Sequence, residues 1–106
     1  MTIDYKAIWT EALLAGIEAE AKHIAEYGED MYCGFGWVEI PNGRSPFVTW
    51  CRKNGIGSKH WRKGWYIWRP TQNYSQSMTV NEIGAQAFAE VLNNHGIEAF
   101  SASRPD

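Results

Sequence analysis

Lys59, His60, Trp61, Arg62 and Lys63 place three cations, an imidazole and an indole in one unbroken run. Arg44, Arg52 and Lys53 precede that run and Arg69 follows it, while no Asp or Glu occurs between Glu39 and Glu82. The interval therefore carries seven cations and no anion, a formal +7, against −9 for the rest of the chain. Four of the six tryptophans (Trp50, Trp61, Trp65 and Trp68) lie inside it. Ordinary soluble surfaces intersperse both signs, so this block is not explained by solubility alone. Cations interleaved with flat rings suit a ligand that is anionic and stackable, such as a nucleotide or a nucleic-acid strand. The candidate ligand-binding residues are Lys59, His60, Trp61, Arg62, Lys63, Trp68 and Arg69, with Arg52. Arg62 and Lys63 are expected to grip phosphate while Trp61 or Trp68 stacks on a base.

Catalytic motifs do not accompany these residues. The chain has no P-loop, no G-x-G-x-x-G, no H-E-x-x-H and no nucleophile elbow. His23, His60 and His95 are scattered, and none has a second His or Cys at ligand spacing, so neither a metal nor a cofactor is expected. A metal-dependent nuclease would need carboxylates beside the phosphate, and the basic stretch supplies none. A metal-free phosphodiesterase using His60 with Lys63 or Lys59 is the minority reading; a non-enzymatic binding protein is the expectation. Three ligand classes remain: a small anionic nucleotide, a single-stranded nucleic acid, and an acidic host protein. The acidic flanks favour the small nucleotide, because they would repel a long polyanion, whereas a compact ligand feels only charges within about 8 Å at physiological salt.

These residues need elements to position them. Asp4 to Tyr27 reads as an amphipathic helix, with Leu13, Leu14, Ile17, Ala21, Ile24 and Ala25 on one face and Glu11, Glu18, Lys22 and Glu26 opposite. Glu20 and His23 sit at the edge of the apolar stripe and read as a solvated flank. Met31 to Ile40 is a first strand, with Gly34 and Gly36 on one face, which signals the close approach of a helix or a ligand. Ser45-Pro46 starts a short helix that Asn54-Gly55 ends. Ile56 to Gly64 is the basic loop, and Trp65 to Arg69 a second strand stopped by Pro70. Thr79 and Glu82 form a capping box, with Met78 and Ile83 as staple, for a last helix closed by Gly96 and Ile97. Ile97 to Ser101 is a short final strand. Trp37, Trp50 and Trp65 are assigned to the core, and Trp61, then Trp68, to the surface.

The expected fold is thus α+β, a single domain over 1–106 in the order αβαβαβ. It comprises an amphipathic helix (1–28) and an αβ core (31–106) with a small three-stranded sheet, mixed or parallel. At 106 residues the chain can bury a real core. Its apolar runs fall short of the ~20 residues that span a membrane, and its N-terminus lacks the basic region of a signal peptide. Two cysteines without C-x-x-C suit buried thiols in a reducing compartment, so a cytoplasmic location is expected. The acidic first helix could meet the basic stretch of a second copy, so a homo-oligomer is expected.

The segments CGFGWV (Cys33 to Val38), FVTWCRKNG (Phe47 to Gly55), YIW (Tyr66 to Trp68), QSM (Gln76 to Met78), AFAEVL (Ala87 to Leu92) and GIEAFSASRPD (Gly96 to Asp106) resemble a group of small bacteriophage-encoded proteins. That group carries a C-G-F-A-W-V-type strand, an F-x-x-W-type helix ending in N-G, and a G-I-x-A-x-x-x-S-R-x-D-type end. The resemblance covers roughly Met31 to Asp106 and departs at Gly36, where alanine is commoner. It implies a phage accessory protein in a bacterial host cytoplasm, of the kind that sequesters a host component such as a nucleotide signal of host defence.

Overall fold

The computed structural model describes residues 2–106. They form α1 (Tyr5–Tyr27), β1 (Gly34–Ile40), α2 (Pro46–Lys53), β2 (Ser58–Lys59), β3 (Trp65–Trp68), α3 (Met78–Asn94) and β4 (Phe100–Pro105). The strands make one sheet in the order β2-β3-β1-β4, with every neighbouring pair antiparallel. The α+β class is as expected, but the three-stranded, parallel or mixed sheet and its αβαβαβ order are not. The cause is β2, two exposed residues inside the basic loop, too short to leave a periodic trace. Its hairpin with β3 reverses the chain, so each helical crossover joins parallel strands that are not neighbours. The run β1-α2-β2-β3-α3-β4 has the ferredoxin-like, split β-α-β connectivity, with α1 added in front.

The inner sheet face carries Val38, Ile40, Trp65 and Ile67, which share one core with Phe47, Val48 and Cys51 of α2 and Phe88, Ala89 and Leu92 of α3. Burial pushes the Cys51 thiol up to about 12, whereas Cys33 is exposed, so only one of the two thiols is buried. Gly36 lies where α3 crosses β1: a Cβ there would stand 2.5 Å from the Asn81 carbonyl oxygen. The glycine face of β1 is therefore occupied by a helix. Asn81 ties the two elements further by donating from Nδ2 to the Gly34 carbonyl at 2.9 Å.

α1 packs on α3 with an unexpected face. Ile8, Ala12, Gly16 and Glu20 are buried, whereas Leu14, Ile17 and Ile24 are 59%, 43% and 39% exposed. Small residues win this contact because they let the two backbones approach: a Cβ on Gly16 would stand 3.0 Å from the Gly84 carbonyl oxygen. Glu20 is no solvated flank. It inserts beside Gly84, and its Oε2 accepts from the Thr71 hydroxyl at 2.7 Å and Asn73 Nδ2 at 2.8 Å. Burial raises its carboxyl above the usual value, and those two hydrogen bonds partly oppose the rise.

The helix ends follow local chemistry with one revision. Ser45 caps α2 by accepting from the Phe47 N–H, and Asn54 follows Lys53 at its end. α3 begins two residues earlier than the T-x-x-E box implies: Ser77 is the cap, accepting from the Val80 N–H. Thr79 instead donates to Asp30, and Glu82 accepts from Ser103. Asp30 thereby acquires two hydroxyl donors, Ser77 and Thr79, which hold its carboxyl below the usual range. At the other end Ile97 N–H donates to the Leu92 carbonyl at 2.9 Å with Gly96 at φ 80°, the expected Schellman cap. The last strand starts later than expected, at Phe100 rather than Ile97, and takes in Arg104.

Candidate functional site

Because side chains alternate across a strand, the sheet that buries Val38, Ile40, Trp65 and Ile67 must present the intervening residues outward. On the central strands these are Phe35, Trp37 and Glu39 of β1 and Tyr66 and Trp68 of β3. Trp37 pairs with Trp68, and Glu39 with Tyr66. On the edge strand β4, Phe100 pairs with Glu39 and Arg104 with Phe35. Among the described residues, no helix covers this side. The rings pack on one another: Trp37 and Trp68 lie 4.6 Å apart at 32°, and Phe35 and Tyr66 meet Trp68 edge-on at 6.1 and 5.7 Å. Trp37, expected in the core, is thus part of an outer aromatic platform.

Loop residues between β2 and β3 close one end of the platform. His60 N–H donates to the Gly64 carbonyl at 3.0 Å, which folds the loop back. The His60 ring meets Tyr66 edge-on at 5.3 Å and stacks with Trp61 at 5.9 Å and 22°. Trp61 is 76% exposed, and the Arg62 guanidinium lies 4.4 Å from its ring centre. His60 Nε2 sits 3.0 Å from Glu39 Oε1, and its Nδ1 accepts from the Arg62 backbone N–H at 3.1 Å. That acceptor role places the ring proton on Nε2. Trp37 Nε1 also donates to Glu39 Oε1, at 3.3 Å. The Tyr66 hydroxyl is held below its ordinary value, first by Trp68 and then by Ser58.

Three hollows run across the face and share walls. The central one, about 260 Å³, lies between Trp37, Glu39, His60, Trp61, Trp68 and Arg104. Glu39 and His60 also line a second of about 220 Å³, walled by Arg62, Lys63 and Phe100. Trp68 also lines a third of about 450 Å³, with Arg69, Asn73 and Tyr74. The hollows thus succeed one another along the face as a broken groove, each with a cation in its wall. Arg104 lies 5.9 Å from the Trp68 ring centre and 5.7 Å from that of Phe35.

Of the candidate residues, His60, Trp61 and Trp68 line the central hollow, Arg62 and Lys63 the second, and Arg69 the third. Arg69 is held in place: its guanidinium donates to the Asn73 and Ser75 carbonyls at 3.4 and 2.9 Å. Arg52 and Lys59 are not brought to the groove. Arg52 lies over the ring of Trp65, a core residue, at 4.9 Å, and Lys59 pairs with Trp65 in the sheet and so falls on the same inner side. Sequence reasoning missed Phe35, Trp37, Glu39, Tyr66, Phe100 and Arg104. The period-two alternation of β1 held the signal for the first three, whereas Phe100 and Arg104 needed the register of β4.

Among the described residues, no three His, Cys, Asp or Glu side chains converge on a common point that could hold a metal. Among the described residues, no helix is long and apolar enough to cross a membrane. Compared with protein-family models, curated proteins and solved structures, the chain matches none.

Proposed function

We propose that this protein binds single-stranded nucleic acid across the outer face of its sheet, without catalysing a reaction. The observation that carries this reading is the succession of hollows along one face: the central one shares Glu39 and His60 with the second and Trp68 with the third, and the Trp37 and Trp68 rings pack together within it. A linear ligand uses such a trough along its length. A single nucleotide would occupy only one hollow: the central one, at about 260 Å³, is below the ~300–1,000 Å³ usual for small-molecule pockets, and the third, at about 450 Å³, is within it. Four-stranded sheets that stack bases on aromatic residues of their central strands are an established solution for single-stranded RNA, and the layout here is analogous in kind. Both ring nitrogens of His60 are engaged, by Glu39 and by the Arg62 N–H. None is free to move a proton at a bound phosphodiester, which weighs against the His60/Lys63 phosphodiesterase reading.

Capture of a small anionic nucleotide is the second reading, favoured by the stacked Trp37–Trp68 pair with Arg104 beside it. Docking on an acidic host protein would use the same cations. A phage accessory role in a bacterial cytoplasm follows from the resemblance, and a homo-oligomer is part of the proposal. For the oligomer, the exposed α1 residues Leu14, Ile17, Ala21 and Ile24 alternate three and four apart, a seam that a second copy of α1 can fill.

The test of the site is charge reversal. Arg62→Glu with Lys63→Glu should leave folding intact, since exposed loop charges change stability by about 0.5 kcal/mol or less. Affinity for a fluorescent single-stranded oligonucleotide should fall at least about tenfold, as each charge-assisted hydrogen bond is worth about 1.5–3 kcal/mol. Unchanged affinity in the double variant would place the site elsewhere.

A further inference from the structure

A carboxylate in a polyanion groove calls for a reason. Among the described residues lining these three hollows Glu39 is the only acid, and Asp106 lines a separate hollow beyond Arg69 and Phe35. Its Oε1 is fully used, accepting from the Trp37 indole N–H and from His60 Nε2. Its Oε2 has no donor among the described residues. The Glu39 side chain is 22% exposed, and the buried side-chain oxygen without a partner is Asn81 Oδ1 alone among the described residues. Oε2 therefore keeps an open side, and Glu39 walls both the central and the second hollow. A phosphate cannot rest against it. The cations that receive phosphate, Arg62 and Lys63 on one side and Arg104 and Arg69 on the other, flank this point. What passes over Glu39 must be a base edge that offers a donor.

We infer that Glu39 is a specificity-determining residue that reads the edge of the base stacked beside the Trp37–Trp68 pair, accepting from an exocyclic amino group. The groove then prefers cytosine to thymine or uracil. Cytosine presents its N4 amino group at the end of that edge, whereas the one ring donor of thymine and uracil, N3–H, lies between the O4 and O2 carbonyls, whose oxygens repel a carboxylate. The three pyrimidines have rings of equal size, so stacking does not discriminate among them and the edge does. This inference rests on the single-strand reading of the groove.

Glu39→Gln sharpens the test. Trp37 Nε1–H and His60 Nε2–H are both donors, so they hold the amide oxygen in the place of Oε1. The amide NH₂ then faces the groove and turns the reader from acceptor to donor, suited to the O4 of thymine. Fluorescence titrations of the full chain with oligo-dC and oligo-dT of equal length, repeated with oligo-rC and oligo-rU, give the answer. The wild type should bind the cytosine strands about tenfold more tightly, and Glu39→Gln should abolish or invert that preference. Equal binding of both strands by the wild type overturns the role of Glu39 and leaves the single-strand reading standing. So does a cytosine preference that persists in a folded Glu39→Gln variant. If neither strand binds the wild type, the single-strand reading itself fails, and the inference with it. The comparison of strands on the wild type needs no variant to fold.

Discussion

Trp65 and Trp68 lie three residues apart in one strand and so point to opposite sides of the sheet. Trp65 is 6% exposed and anchors its indole N–H on the Ile56 carbonyl at 3.0 Å, whereas Trp68 is 41% exposed on the groove floor. Replacing each with alanine should separate folding from binding. Trp65→Ala should cost about 3–5 kcal/mol of stability in denaturant titrations. Trp68→Ala and Trp61→Ala should cost about 1–3 kcal/mol of oligonucleotide affinity, with much smaller losses of stability. If Trp61→Ala unfolds the protein, the loop is core and not site. Glu20 makes a different kind of residue-scale prediction. Its carboxyl is raised above 4.5 in the folded chain, first by burial, against the lowering hydrogen bonds from Thr71 and Asn73. The folded state therefore holds the proton more tightly than the unfolded state, so the contribution of Glu20 to stability falls as pH rises from the unfolded value through the folded one. Glu20→Gln removes that slope. The stability advantage of the variant should be small near pH 4 and should grow to a plateau toward neutrality. An advantage that shrinks with rising pH would contradict the assignment.

At the scale of elements, α1 shows how packing chooses among faces. The face with the larger apolar residues is not the buried one, because Gly16 and Ala12 permit a close crossing with α3 that leucines would prevent. Leu14→Glu with Ile17→Glu should therefore change the stability of the monomer by no more than about 1 kcal/mol, as expected of surface positions. In sedimentation equilibrium the wild type should self-associate, as proposed, and the same double variant should not. Self-association that persists equally in the double variant would clear the stripe of that role. Ala12→Leu, by contrast, enters a fully buried contact and should cost about 1–3 kcal/mol by overpacking. The small β2 strand matters in another way: its two residues pair antiparallel with Trp65 and Tyr66 and turn the chain back into β3.

At the scale of the molecule, the charges of the first helix and of the groove lie on opposite sides of the sheet, although Arg52 and Lys59 fall on the inner side and Glu39 lies in the groove. Glu11, Glu18 and Glu26 are exposed on α1, which lies on α3, while α3 lies on the inner side of the sheet. The groove is on the other side, with Arg62, Lys63, Arg69 and Arg104 along it. A net charge of −2 is then no obstacle to a polyanion, because the acidic layer stands behind the site. Salt dependence distinguishes the ligand classes. A strand contacting three or four phosphates should show a slope of log affinity against log salt of about −2 to −3, at about −0.7 per phosphate. A mononucleotide should show a slope of about −1 or shallower by the same relation. A shallow slope with an oligonucleotide would favour the small-ligand reading.

Local chemistry was legible in the sequence wherever a few adjacent residues decide it. The Ser45 cap, the Gly96–Ile97 turn, the glycine face of β1 and the exposure of Trp61 depend on near neighbours or on a single backbone approach. The clustering of cations with tryptophans was equally plain from the chain. Tertiary structure decided the rest, because each remaining question concerned a partner far along the chain. The hairpin parity created by β2, and not any periodicity in β1, made the sheet antiparallel. The burial of Glu20 needed Thr71 and Asn73, some fifty residues away. Arg52 and Lys59 share the composition of the groove cations yet fall on the other side of the sheet, and Arg104 joins the groove from the end of the chain through the pairing of β4 with β1. Glu39, the last acid before the basic block, reads in one dimension as its boundary. The register of Glu39 with Tyr66 and the fold of the loop that carries His60 place it at the centre.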